Sequence, residues 1–67
     1  MPEADVRYET WWNGLSPELR TDVLQSIPLM GEDQREIFSR RLWHELHAWL
    51  RVEARQVHDK AVEQTAS

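Results

Sequence analysis

The sequence predicts an all-α fold: a small helical hairpin or three-helix domain with one long C-terminal helix. Three observations predict it. From Asp33 to Ala61 neither Gly nor Pro interrupts a run filled largely by Leu, Arg, Glu, Ala and Gln, all good helix formers. Ser16-Pro17-Glu18 is a helix start, with Ser at the N-cap, Pro at the first helical position and Glu in the first turn. Asn13-Gly14 and the stretch Pro28 to Gly31 separate these runs, and Gly and Pro are the strongest punctuators of regular structure. A chain of 67 residues holds one domain, near the lower size at which a single core suffices without disulfides, metal or association. The expected domain spans residues 1–62, with 63–67 a flexible tail.

The first helix is expected over residues 3–12. Pro2 suits a first helical position, Glu3 and Asp5 suit a helix N-terminus, and Asn13-Gly14 is a good stop. Ala4, Tyr8, Trp11 and Trp12 share one side, and so short a helix forms only if those aromatics dock. The second helix, 17–27, carries Leu19, Val23 and Ile27 on one face, with Leu15 just ahead, and ends before Pro28. Pro28-Leu29-Met30-Gly31 forms a tight turn, and Asp33 with Glu36 reads as a capping box. A short connection makes the second and third helices an antiparallel hairpin.

The third helix is expected to be continuous over 33–61, about 43 Å long at 1.5 Å per residue. Its apolar face carries Phe38, Leu42, Leu46, Trp49, Leu50 and Val57, with Trp43 and Ala54 at the edge. The expected core is therefore Leu15, Leu19, Val23, Ile27, Phe38, Leu42, Leu46, Trp49 and Leu50. Beyond Leu50 the face narrows. Glu53, Gln56 and Lys60 take its centre line and leave Ala54, Val57 and Ala61 to one side, a weak stripe that either projects free or pairs with a second copy.

Composition excludes several function classes. Without cysteine there is neither a disulfide framework nor a thiolate zinc site. His44 and His47 stand three apart around Glu45, where a zincin helix needs His at i and i+4, so no metal site and no cofactor are expected. Two glycines leave no phosphate-cradling loop, and no nucleophile arrangement is visible, so the protein is not expected to be an enzyme. The N-terminal residues are acidic where a secretory signal is basic, and no run approaches the roughly 20 apolar residues of a membrane span. A soluble cytoplasmic protein is expected.

The net charge of −4 is unevenly spread. Residues 1–33 hold two Arg against seven carboxylates, whereas 34–60 hold six cations against four carboxylates. On a continuous third helix, Arg40, His44, His47, Arg51, Arg55 and His58 would form a basic stripe, either an ordinary solvated face or a rail for an acidic partner or phosphates. Four tryptophans in 67 residues cannot all be interior. Trp49 lies mid-face and reads as core. Of Trp11, Trp12 and Trp43 at least one should be partly exposed, and exposed Trp beside Arg is the composition of a binding hot spot.

The expected function is a small protein–protein interaction module, an adaptor, regulator or assembly factor. It would bind another chain, or itself as a homodimer, through Trp11, Trp12, Trp43, Arg40, His44, His47, Arg51 and Arg55. The alternative is a small DNA-associated regulator or antitoxin-like protein using the basic stripe. Against it, the start of the third helix, which a helix-turn-helix reader would insert into the major groove, presents Glu32 and Asp33. No small-molecule substrate is evident.

Overall fold

A computed structural model of the protein describes the backbone of residues 2–28 and 30–66 and the side chains of residues 6–28 and 30–65. Among these, four α-helices and one 3₁₀ turn follow in order: α1 (Pro2–Gly14), α2 (Pro17–Gln25), α3 (Glu32–Ser39), the 3₁₀ turn Trp43–Glu45, and α4 (Ala48–Ala66). The expected positions of Leu29 in the turn, of the Ala4 side chain and of Ser67 in the tail lie outside the described residues. Among those described, no helix is long and apolar enough to cross a membrane. The radius of gyration is 11.4 Å, close to the roughly 11 Å of a compact chain this long.

α2 begins where the sequence places it. The Leu19 N–H donates to Ser16 Oγ at 3.3 Å and Pro17 occupies the first helical position. Ser16→Ala should lower stability by about 1 kcal/mol, read as a shifted urea midpoint with an unchanged slope; an unmoved midpoint would show that the cap is dispensable. α3 starts earlier than expected. Gly31 is its N-cap, and the Gly31 N–H donates to Gln34 Oε1 at 3.1 Å, the reciprocal half of a capping box, in place of the Asp33–Glu36 pair.

The continuous third helix is the main correction. The chain leaves helical geometry after Ser39, Leu42 is extended, and helix resumes only at Ala48. Local propensity favours helix here, so the break must be stabilised from outside, and α1 and α2 supply the partners. The backbone groups it frees are collected by side chains. Trp12 Nε1–H donates to Arg41 O at 2.8 Å, and Arg20 donates to Ser39 O at 3.2 Å. The Trp43 N–H donates to Asn13 Oδ1 at 2.9 Å and the Leu42 N–H to Glu45 Oε1 at 2.9 Å. Buried backbone groups must find partners, and these four bonds let the segment turn without leaving them unpaired.

Breaking the helix resets the phase of everything after it. α4 buries Leu50 and Ala54, with Val57 packed against the core, while Trp49 swings out to 50% exposure. Leu42, now within the break, is exposed as well. Trp43 turns inward, its ring 6.3 Å from that of Trp12 and 6.2 Å from that of Tyr8. Helix α4 also continues through residues 63–66, expected as a flexible tail.

α2 is rotated relative to expectation, and Arg20 is the reason. Its guanidinium is buried, donating through Nε to Trp12 O at 3.1 Å and through its two terminal nitrogens to Ser39 O and Asn13 O. These carbonyls end α1 and α3, where helix dipoles concentrate negative partial charge. Arg20 also lies 5.5 Å over the Trp12 ring. Because Arg20, Leu24 and Ile27 face inward, Leu19 is turned out to 51% exposure. Of the expected core, Ile27, Leu46 and Leu50 are fully interior; Leu15, Val23 and Phe38 are partly buried; Leu19, Leu42 and Trp49 are surface residues. Tyr8, Trp12, Leu24, Met30, Trp43 and Ala54 complete the core in their place.

Candidate binding groove

The inward turn of Arg20 and the overrun of α4 beyond the core leave an apolar groove between them. Trp11 and Leu15, at the end of α1, form one wall. Leu19, Asp22 and Val23 line it from α2; Val57, His58, Ala61, Val62 and Thr65 line it from the second half of α4. The volume is about 600 Å³, and Leu19 and Val62 are 51% and 53% exposed along it. It is a trough open to solvent rather than an enclosed cavity. The weak stripe of Val57 and Ala61 beyond Leu50 lies here, turned toward α1 and α2.

The wall beside Trp11 is built from interlocking rings. The His58 ring meets Trp11 edge-on at 4.8 Å and Tyr8 at 5.2 Å, and its Nδ1 lies 3.1 Å from Asp59 Oδ1. Trp11 in turn packs edge-on against Trp12 at 6.1 Å. Such edge-to-face pairs contribute beyond area burial. The Tyr8 hydroxyl donates to both carboxylate oxygens of Asp59 at 2.8 Å, tying α1 to α4.

These contacts set two titrations. Hydrogen bonds from His58, foremost, and from Tyr8 hold the Asp59 carboxyl below its ordinary value of 3.8. The hydrogen bond to Asp59, followed by burial of the phenol and the carboxylate's charge, holds Tyr8 above its ordinary value of 10.0. A carboxyl depressed on folding stabilises the fold above its unfolded value, and that contribution fades as pH falls through the lower folded value. A phenol raised on folding contributes fully below about 10 and loses its contribution as pH rises through the higher folded value. The Tm advantage of the wild type over Tyr8→Phe should therefore be widest between about pH 5 and 9, narrow in acid and reverse in alkali. A difference that stayed constant from acid through alkali would show that the bond does not form. Tyr8 is the only tyrosine, so its ultraviolet titration reads this contact alone.

The residues expected to face a partner are dispersed by the broken helix. Trp11 lies on the groove, whereas Trp12 and Trp43 are interior, at 0% and 4% exposure. Arg40 caps the end of α3 and pairs with Glu36 at 3.5 Å on the open surface, a kind of pair that contributes little. His44 is exposed in the 3₁₀ turn, and His47, also exposed, lies edge-on to Phe38 at 5.4 Å. Arg51 turns back to donate to Leu46 O, and Arg55 lies 5.9 Å over the Tyr8 ring. The basic stripe needed one uninterrupted helix; the break divides it between α3, the connecting segment and α4. Sequence reasoning missed Asp22, Val62 and Thr65, and gave Leu19 to the core. The signal was the apolar stripe continuing past the length that two short helices can cover.

In comparisons with protein-family models, curated proteins and solved structures, nothing matches this chain. Among the described residues no group of three or more His, Asp or Glu is arranged to hold a metal ion.

Proposed function

We propose that the protein is a small non-enzymatic protein–protein interaction module and that the groove between α1, α2 and α4 is its binding surface. One observation carries this: seven of the ten lining residues are apolar, with Leu19 and Val62 among them half-exposed. A fold that leaves such a surface open at its own expense is built to have it covered. The groove is shallow and its polar side chains are Asp22, His58 and Thr65. That suits a protruding apolar ridge better than a small ligand, which requires enclosure and several convergent polar groups. Trp11, with the His58 ring edge-on to it, supplies the aromatic anchor typical of a hot spot.

Panning a displayed peptide library against the protein tests this. Selected peptides should lose binding to Leu19→Asp and to Val62→Asp. Both sites are exposed, so the circular dichroism of each variant should match the wild type. Peptides that bind both variants as well as the wild type would refute the reading.

A further inference from the structure

Resting on that reading, we propose that the groove's occupant is a cationic amphipathic helix of a partner chain. The floor fixes its shape. From Val57 to Thr65 the α4 wall runs about 12 Å at 1.5 Å per residue, and a helix presenting apolar side chains at i, i+3 or i+4, and i+7 spans about 10.5 Å. Leu19, Val23, Val57 and Val62 offer a branched aliphatic surface for such anchors, with Trp11 closing one side.

The rim fixes its charge. No Lys or Arg lines the groove, and its one carboxylate is Asp22. Glu18, one helical turn before Asp22 on α2, is exposed. On α4, Asp59 adjoins the lining residue His58 and Lys60 adjoins the lining residue Ala61, and both are exposed, so this margin is of mixed charge. The acidic margin is that of α2, where Glu18 and Asp22 stand one turn apart with no cation among the lining residues. An apolar trough with one acidic margin accepts a helix whose apolar stripe is bordered on that side by Lys or Arg and disfavours one bordered there by Glu. The α1 or α2 of a second copy fits poorly by the same argument, because residues 1–33 hold two Arg against seven carboxylates.

The test uses two amphipathic peptides about 14 residues long, four turns each. Both carry Leu at the anchor positions; one has Lys at the flanks and the other Glu. Each is titrated into the ¹⁵N-labelled full chain while the Trp11 indole and the Leu19 and Val62 amides are followed. The Leu/Lys peptide should shift these signals with a Kd roughly tenfold lower than the Leu/Glu peptide, the sum of a few exposed charge pairs. Glu18→Lys with Asp22→Lys should abolish that preference. Glu32→Lys with Asp33→Lys changes the net charge equally, on a helix away from the groove, but should leave the preference in place. If both peptides bind the groove equally, or the control reverses the preference as well, the charge assignment is wrong and the groove reading stands. If neither peptide moves the groove signals of the folded protein, both are wrong. Groove signals that move on dilution of the protein alone would give the site to a second copy and overturn the proposal.

Discussion

Arg20→Met is expected to lower stability by about 3 kcal/mol or more, which for a chain of this size is a third to the whole of a total of roughly 3–10 kcal/mol. The substitution keeps much of the apolar stem and removes the guanidinium. Trp12 O then keeps only the Leu15 N–H, while Ser39 O in the interior and the part-buried Asn13 O lose the guanidinium, and an unsatisfied buried acceptor costs about 1–3 kcal/mol. Arg20→Lys should recover only part of the loss, because an ammonium reaches one or two of three carbonyls that a planar fork spans. Urea denaturation followed by far-ultraviolet circular dichroism reads both variants. A loss below about 0.5 kcal/mol for Arg20→Met, the size of an ordinary surface substitution, would mean that the guanidinium does not hold the two helix ends.

Trp12→Ala should cost about 3–5 kcal/mol, the range for emptying an aromatic core position, and is expected to leave the chain largely unfolded at room temperature. Trp12 is fully buried, contacts the rings of Trp11 and Trp43, and carries the bond from its indole N–H to Arg41 O. Trp12→Phe separates the two roles. It keeps most of the ring volume and should cost about 1–3 kcal/mol for the orphaned carbonyl. Equal losses for Ala and Phe would assign the whole effect to the hydrogen bond; no loss for Phe would show that Arg41 O is satisfied by water.

The two substitutions act on the same construction, and it explains what was and was not legible in the sequence. The all-α class, the Ser16 cap and the start of α2 follow from local chemistry, a hydroxyl beside orphan N–H groups and a proline at a first turn. By contrast α1, expected over 3–12, runs on through Asn13 and Gly14, and α2, expected to reach residue 27, stops at Gln25. Nor does the break after Ser39 follow from local chemistry. Arg40, Arg41 and Leu42 are all compatible with helix, and what holds them out of it is Trp12, Asn13 and Arg20, up to about 30 residues earlier in the chain. Helical periodicity assumes an unbroken phase, so a single break moved Trp49 from core to surface, Trp43 from surface to core, and dissolved the basic stripe.

Arg20 misled the reading in the same way. A charged residue in a nine-residue helix is assigned to solvent by pattern alone. Only knowing that two helix C-termini converge on it explains its burial and, with that burial, the outward turn of Leu19. The groove follows from both errors together. Its α4 wall was visible as an apolar stripe without a cover; its α2 wall, Leu19 and Val23, was visible as an apolar face but assigned to the core.

The measurement that tests the account most directly is the backbone chemical-shift assignment of residues 36–66 in solution. Cα shifts should be helical through Ser39, leave helical values at Arg41 and Leu42, and return to them from Ala48 to the end of α4. With that pattern, nuclear Overhauser contacts should join Val57 and Val62 to Trp11 or Leu19 across the groove. Uninterrupted helical shifts from Glu32 to Thr65 would contradict the account, because a straight helix would carry Val57 to Thr65 away from α1 and α2 and leave no groove to bind anything.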